Sequence, residues 1–312
     1  MAQIWTGKAG LSHEERTATE PRDNDLHLVI LDSISVVNDR IRTYRFATKD
    51  RGGIKFLAGQ WLDVHVPGID KAGGFTITSS PRHARPAASE DASKPFFELA
   101  VQQSPDNPPA AWLWQPEEHI LGRELAVRVG GSFVWPPPGV AQERIKRVVF
   151  IAGGVGINPF MSMLSHIREE EYSLEVHMLY STKVPDKSSE RDSILFLPQI
   201  LEAFGGHRIS PDRKGKDSLQ LFLTCTWSGE QITANSYFQN SLDHQPGTSL
   251  SITTRIHRIE KENLLAIIGN EDERRHSVYY VCGPPEMTDS IVEYLRQQEG
   301  VTPESVLCEK WW

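Results

Sequence analysis

A chain of 312 residues with 39% hydrophobic and 24% charged residues has the composition of a globular protein and the length for about two domains, each with its own core. A net charge of -8 and a pI near 5.8 exclude the basic face that nucleic acid requires, and no apolar run approaches the roughly 20 residues that cross a bilayer. Three scattered cysteines, Cys225, Cys282 and Cys308, suit neither a disulfide framework nor a four-thiolate cluster, and the eleven histidines show no ligand pairing, so no metal site is expected.

Residues 1–25 mix Lys8 and Arg16 with Glu14, Glu15 and Glu20 without apolar periodicity and read as a flexible lead-in. The start lacks a secretory apolar segment, and its glutamates count against a transit peptide. The expected location is intracellular, the cytoplasm ahead of the mitochondrion. From Leu28 the texture is short strands. Leu28, Ile30, Ile34 and Val36, then 41–46, predict two strands joined at Asn38-Asp39. In 56–68, Trp61, Asp63 and His65 alternate with Leu62, Val64 and Val66, as in a half-buried strand that stops at Pro67-Gly68. Strands follow at 75–80, 96–103 and 124–129, with one short helix at 110–114. An antiparallel β-barrel over 26–142 accounts for this spacing, and the proline-rich 135–144 places the boundary.

The second half, 143–312, alternates strands with helices: strand 148–152, helix 159–170, strand 174–181, helix 194–204 with Pro198 as a kink or late start, strand 219–226, strand 276–283 and helix 287–298. Such alternation predicts an α/β parallel sheet. Its first strand runs into Gly153, Gly154, Val155 and Gly156, followed by Asn158-Pro159 as N-cap and first helical residue. Glycines between a strand end and a helix start suit a diphosphate, because the first N–H groups of the helix and its positive dipole end point there. The spacing departs from G-x-G-x-x-G, and no acid ends the next strand.

With these motifs placed, the chain over 28–312 resembles the ferredoxin–NADP reductase superfamily, and within it most closely the oxidoreductase NAD-binding-domain-containing proteins. The resemblance is carried by GGFTITSSP, IAGGVGINPFMSML, CGPPEMTD and the final CEKWW. It implies an N-terminal flavin-binding barrel holding FAD and a C-terminal sheet holding NAD(P)H. In the family string R-x-Y-S/T the aromatic residue stacks on the flavin ring, the hydroxyl bonds flavin N5 and the arginine pairs with the diphosphate. Phe75 then takes the aromatic place and Thr76 the hydroxyl place, and Ile77, Thr78 and Ser79 complete the string. Gly73 stands where the arginine would be, and Ala111 where a later G-x-x-S turn would offer serine; Arg82, Arg85 and Arg128 are the arginines to consider in compensation.

On the same resemblance Gly153, Gly154, Val155, Gly156, Asn158 and Pro159 face the dinucleotide diphosphate, and Cys282, Gly283 and Pro284 lie beside the nicotinamide. Ser181, Thr182 and Lys183, with Arg255, offer hydroxyls and cations that suit a 2′-phosphate, which leaves NAD and NADP both open. Glu309 is implied as a proton relay and Trp312 or Trp311 as the plate over the flavin. Cys225 and Cys308 are expected in the core. The activity implied is hydride transfer from NAD(P)H to FAD across the domain cleft, then electron transfer to an acceptor the sequence does not name. The alternative is a non-catalytic dinucleotide-binding scaffold whose flavin site has decayed.

Overall fold

Alternating apolar positions in the first half of the chain pair as antiparallel strands, and the continuous apolar runs of the second half become strands covered on both faces. A computed structural model describes residues 11–49, 52–86, 93–184, 191–205, 217–224 and 251–310. They fall into two units, which divide between Val134 and Trp135.

The first unit is a six-stranded antiparallel sheet in the order β4-β3-β6-β1-β2-β5. β1 (His27–Asn38) and β2 (Ile41–Thr48) form a hairpin, with Asn38 Oδ1 accepting the Arg40 N–H at 2.9 Å across the turn. β3 (Trp61–His65), β4 (Gly73–Thr76), β5 (Phe96–Gln102) and β6 (Glu124–Gly130) complete the sheet. Beyond β4 the chain meets β5: Ile77 bridges Leu99, the Thr78 N–H donates to Glu98 O at 2.9 Å, and Ser79 Oγ accepts the Glu98 N–H at 3.0 Å. Ile77, Thr78 and Ser79 therefore draw the two edges of the sheet together. The core within it includes Val29, Leu31, Phe46, Leu62, Val64, Phe97, Leu99 and Val127. On β1 the residues read as the strand's apolar face are partly displaced: Val36 is 70% exposed, and Val29 and Leu31 fill the core. The run Leu28–Leu31 is apolar throughout, so alternation cannot choose its face, and register shifts after Leu31 and Val36 reset it.

Two expectations change here for one reason. β3 is buried on both faces, with Asp63 at 0% exposure, because the lead-in lies over its polar face. A capping box at Ser12 and Glu15 starts α1 (His13–Arg16). Arg22 then bridges Gly130, the Asp23 N–H donates to Val129 O at 2.8 Å, and the Gly131 N–H donates to Pro21 O at 2.9 Å. The lead-in lacks apolar periodicity because its anchors are backbone hydrogen bonds and ion pairs. Two further short helices, α2 (Pro108–Leu113) and α3 (Glu117–Ile120), belong to this unit.

The second unit is a six-stranded parallel sheet. Its strands are β7 (Arg147–Gly153), β8 (Glu175–Lys183), β9 (Ser218–Thr224), β10 (Ser251–Arg255), β11 (Ser277–Gly283) and β12 (Val306–Lys310), in the order β10-β9-β8-β7-β11-β12. Its helices are α4 (Asn158–Glu169), α5 (Leu197–Gly205), α6 (Lys261–Ile268), α7 (Glu271–Arg275) and α8 (Pro285–Arg296). Pro198 is the second residue of α5, where its missing N–H costs nothing, so it marks a late start. β10 and α6 were not legible in the sequence. β7 and β11 are buried along their whole length.

A polar network ties the amino-terminal edge of this sheet. Arg147 donates from Nη2 to Ile267 O at 3.0 Å and from Nη1 to Ile268 O at 3.3 Å. His177 Nδ1 lies 2.8 Å from Ser218 Oγ, and Asp217 accepts from Arg168 Nη2 at 2.7 Å and from the Val176 N–H at 2.8 Å. Burial first, and the nearby Arg147 guanidinium second, push the His177 pKa down against the opposing pull of Glu175. Among the described residues no helix is long and apolar enough to cross a membrane.

Candidate functional site

Chain order locates the first site. From β7 the chain steps outward through β8 and β9 to β10, then crosses back to β11 on the other side of β7. The carboxyl ends of β7 and β11 therefore flank a switch point, where open parallel sheets bind ligands. The two motifs read from the sequence meet there, the glycine turn at the end of β7 and Cys282–Pro284 at the end of β11.

They meet closely enough to explain the residue types. A Cβ on Gly156 would collide with the carbonyl of Cys282. One on Gly153 would sit 2.8 Å from Met287 Sδ and 2.9 Å from Pro284 Cδ, and one on Gly283 2.5 Å from Met287 Cε. These three glycines hold the strand ends together. Gly154 differs: its φ is +56°, and no atom lies within 4 Å of the Cβ position. Gly154 and Val155 thus form the partly exposed outer side of the turn.

Asn158 is not the N-cap. The 3₁₀ turn Gly154–Ile157 runs directly into α4, so Ile157 takes the cap position while Asn158 has helical dihedrals and Pro159 follows inside the first turn. The turn brings α4's positive end to the switch point without a side-chain cap. On the facing strand Cys282 is 0% exposed and stands in register with Ala152 on one side and Glu309 on the other. Thr288 secures the following turn, its N–H donating to Pro284 O at 3.0 Å and its Oγ1 to Gly283 O at 3.2 Å.

At the tip of β8, Ser181 is in register with Gly153, Thr182 follows and Lys183 is exposed. Arg255 ends β10, two strands from β8 and so about 10 Å across the sheet. Cys308, expected in the core, is exposed, because β12 is an edge strand. Trp311, Trp312 and Cys225 lie outside the described residues.

In the first unit the candidate flavin residues stand on β4. Thr76 is 1% exposed, and its Oγ1 is buried without a hydrogen-bond partner among the described residues. Phe75 belongs to the barrel core that also holds Ala110 and Leu113. Its ring fills the space beside Gly73: a Cβ there would lie 2.6 Å from Phe75 Cε2 and 2.7 Å from Pro109 Cβ. Gly74 is covered by the His13 imidazole, which a Cβ would strike. The orphaned hydroxyl fits a flavin ring. The filled space at Gly73 does not fit a cation for its diphosphate.

The strongest electrostatic centre of this unit was not foreseen. Asp63 Oδ2 accepts from Arg22 Nε at 2.9 Å and from Arg128 Nε and Nη2 at 2.9 and 2.7 Å, while His13 Nε2 stands 3.1 Å from Oδ1. Burial alone would raise its pKa, but the nearby His13 imidazole and the hydrogen bonds from Arg22 and Arg128 outweigh that and hold the carboxyl well below the usual carboxylate range. Arg128 is thereby committed to Asp63, and Arg82 and Arg85 are exposed. The available signal was one acid within the apolar strand WLDVHV.

No family model matches the chain. It is similar to oxidoreductase NAD-binding domain-containing protein 1 of Danio rerio, 30% identical over 315 residues that cover 98% of this chain and 100% of that one. The reductase component of propane 2-monooxygenase from Rhodococcus jostii (strain RHA1) is 25% identical over 277 residues, 87% of this chain and 60% of the relative. Among solved structures, the flavohem-like FAD/NAD-binding domain of nitric oxide dioxygenase from Vibrio cholerae O1 biovar El Tor superposes with a TM-score of 0.60 at 15% identity, covering 91% of this chain and 98% of that one. That likeness is one of fold: an antiparallel flavin-binding-type barrel followed by a parallel nucleotide-binding-type sheet. The Danio rerio match extends through both units and the motifs at the switch point, and so the chain belongs to the oxidoreductase NAD-binding domain-containing protein 1 family.

Proposed function

We propose that the protein is an NAD(P)H-dependent flavoprotein reductase that takes a hydride from NAD(P)H into flavin and delivers electrons to an acceptor. In this reading residues 26–142 form the flavin domain and 143–312 the nucleotide domain. The observation that carries it is the switch point, where the glycine turn and the Cys282–Pro284 turn are packed against one another. A reductase relative that matches 87% of this chain supports the same reading.

Each residue then has a task. The exposed side of the glycine turn, at Gly154 and Val155, receives the dinucleotide diphosphate against the positive end of α4, and Gly153 and Gly156 hold that surface in place. Asn158 and Pro159 start the helix. Cys282 is fully buried, so it acts through position: with Gly283 and Pro284 its backbone forms the floor under the nicotinamide. Ser181 and Lys183 face the ribose and a 2′-phosphate. Thr76 donates or accepts at flavin N5, Phe75 backs that strand, and Ile77, Thr78 and Ser79 fix its direction. Glu309 is assigned the proton, and one of the two terminal tryptophans, Trp311 or Trp312, is assigned the cover of the ring. Bound flavin supplies the two-electron chemistry; the protein supplies position and electrostatics.

The experiment is the visible spectrum of the purified protein before and after anaerobic addition of NADPH or NADH. Flavin bands that bleach are expected, and Lys183→Glu is expected to raise the NADPH concentration needed without changing that for NADH. A second reading, a dinucleotide-binding scaffold with a decayed flavin site, is favoured by one observation, the filled space at Gly73. A protein that neither carries nor takes up flavin selects it.

A further inference from the structure

A diphosphate is held by donors: free N–H groups at a helix start, or a cation that reaches its oxygens. In the first unit, the positions where the resemblance puts these donors are spent. At the start of α2, Pro108 and Pro109 have no N–H to give. The Ala110 N–H donates to Asn107 Oδ1 at 3.3 Å and the Asn107 N–H to Ser104 O at 3.1 Å, so the four positions that usually offer free donors offer none. Gly73 carries no side chain, and the Phe75 ring and Pro109 occupy the space one would need. Arg128, the one of the three considered arginines that is not exposed, is turned to Asp63 by two bonds of 2.9 and 2.7 Å. The ring end is the opposite case, because Thr76 keeps a buried hydroxyl without a partner among the described residues.

From these two ends we infer that the first unit recognises flavin by its ring and not by its diphosphate, so that riboflavin, flavin mononucleotide and FAD are held alike and flavin is an exchangeable ligand. This rests on the reading of β4 as a flavin strand. It assigns the chemical class of the ligand, an isoalloxazine with any tail, where the family pattern alone implies a resident FAD.

The test is equilibrium dialysis of the purified full-length chain, freed of flavin, against riboflavin, flavin mononucleotide and FAD in turn, at 50 and 500 mM KCl. Expected are three dissociation constants within tenfold of one another and an FAD constant that changes less than threefold with salt. FAD binding more than tenfold tighter than riboflavin, or weakened more than threefold by salt, overturns the inference and shows a diphosphate grip elsewhere. Thr76→Val, which removes the hydroxyl at nearly constant shape, is expected to weaken all three flavins by a common factor; a loss confined to FAD overturns the inference as well. Failure of all three flavins to bind refutes the flavin reading itself, an outcome distinct from FAD selectivity.

Discussion

Replacing Asp63 by Asn is the sharpest test of how the first unit is held. The carboxylate is 0% exposed and joins β3 to Arg128 on β6 and to Arg22 in the lead-in. Asn keeps the shape and removes the charge, leaving two guanidiniums beside a neutral amide. Breaking a buried pair costs about 3–5 kcal/mol. Arg22 and Arg128 side chains are 16% and 28% exposed, so water recovers part of that, and about 3 kcal/mol is expected. Urea unfolding followed by tryptophan fluorescence measures it, since Trp61 lies under Arg22 at 4.9 Å and against His13 at 4.6 Å. The pH dependence gives an independent check. Because the folded carboxyl titrates below its unfolded value near 3.9, its contribution is complete above about pH 4 and is lost as pH falls through the folded value. Asp63→Asn should therefore flatten the acid limb. A loss under 1 kcal/mol, or an unchanged acid limb, would refute the argument that this cluster anchors the lead-in.

Gly74→Ala places a methyl where the His13 ring lies, so α1 should detach while Arg22 stays on Asp63 and the barrel persists; trypsin is expected to cut after Arg16 at least tenfold faster, with barrel unfolding within about 1 kcal/mol of wild type. Gly156→Ala meets the backbone of Cys282, which cannot swing aside, and is expected to cost about 3 kcal/mol and weaken NAD(P)H binding more than tenfold by titration calorimetry. Gly154→Ala meets open space and pays only its positive φ, about 1–2 kcal/mol, so equal losses in the two variants would refute the packing argument. His177 titrates below its unfolded value near 6.5, faced by Arg147, Glu175 and Asp217, so its contribution is complete above that pH and is lost as pH falls. The thermal midpoint of the second unit should fall between pH 7 and pH 5, and that fall should shrink in His177→Asn.

The second unit was the more legible half because its strands are apolar throughout and punctuated by glycine and proline. Runs such as VVFIAGG and VYYVCGPP leave little choice of element or end, and the helices between them fix the parallel order. What escaped was short or local in origin. β10 reads SITTR, five residues with alternate exposure and no apolar run, and becomes a strand by pairing with β9. The helix start at Asn158 was misplaced by one residue, since Asn-Pro is the usual cap signal and nothing in the sequence says that a 3₁₀ turn already begins at Gly154.

In the barrel the misreading of β3 has a deeper cause. Alternation tells which residues share a face, and Trp61, Asp63 and His65 do share one; it does not tell what covers that face. The cover comes from residues about 40 to 50 positions earlier, where the informative residues are His13 and Arg22, charged or polar groups that look like surface. Only the fold pairs them with Asp63 and Arg128. The glycines say the same from the other side. Gly74 was read as part of a flavin string, yet the space above it belongs to His13, and Gly73 leaves room that Phe75 and Pro109 take. A glycine records that a side chain is excluded, while the identity of the excluding group lies elsewhere in the chain. At Gly156 that group is the backbone of the facing turn after β11, and at Gly73 and Gly74 it is side chains of the first unit itself, so the same residue type records two kinds of packing that the sequence alone does not separate.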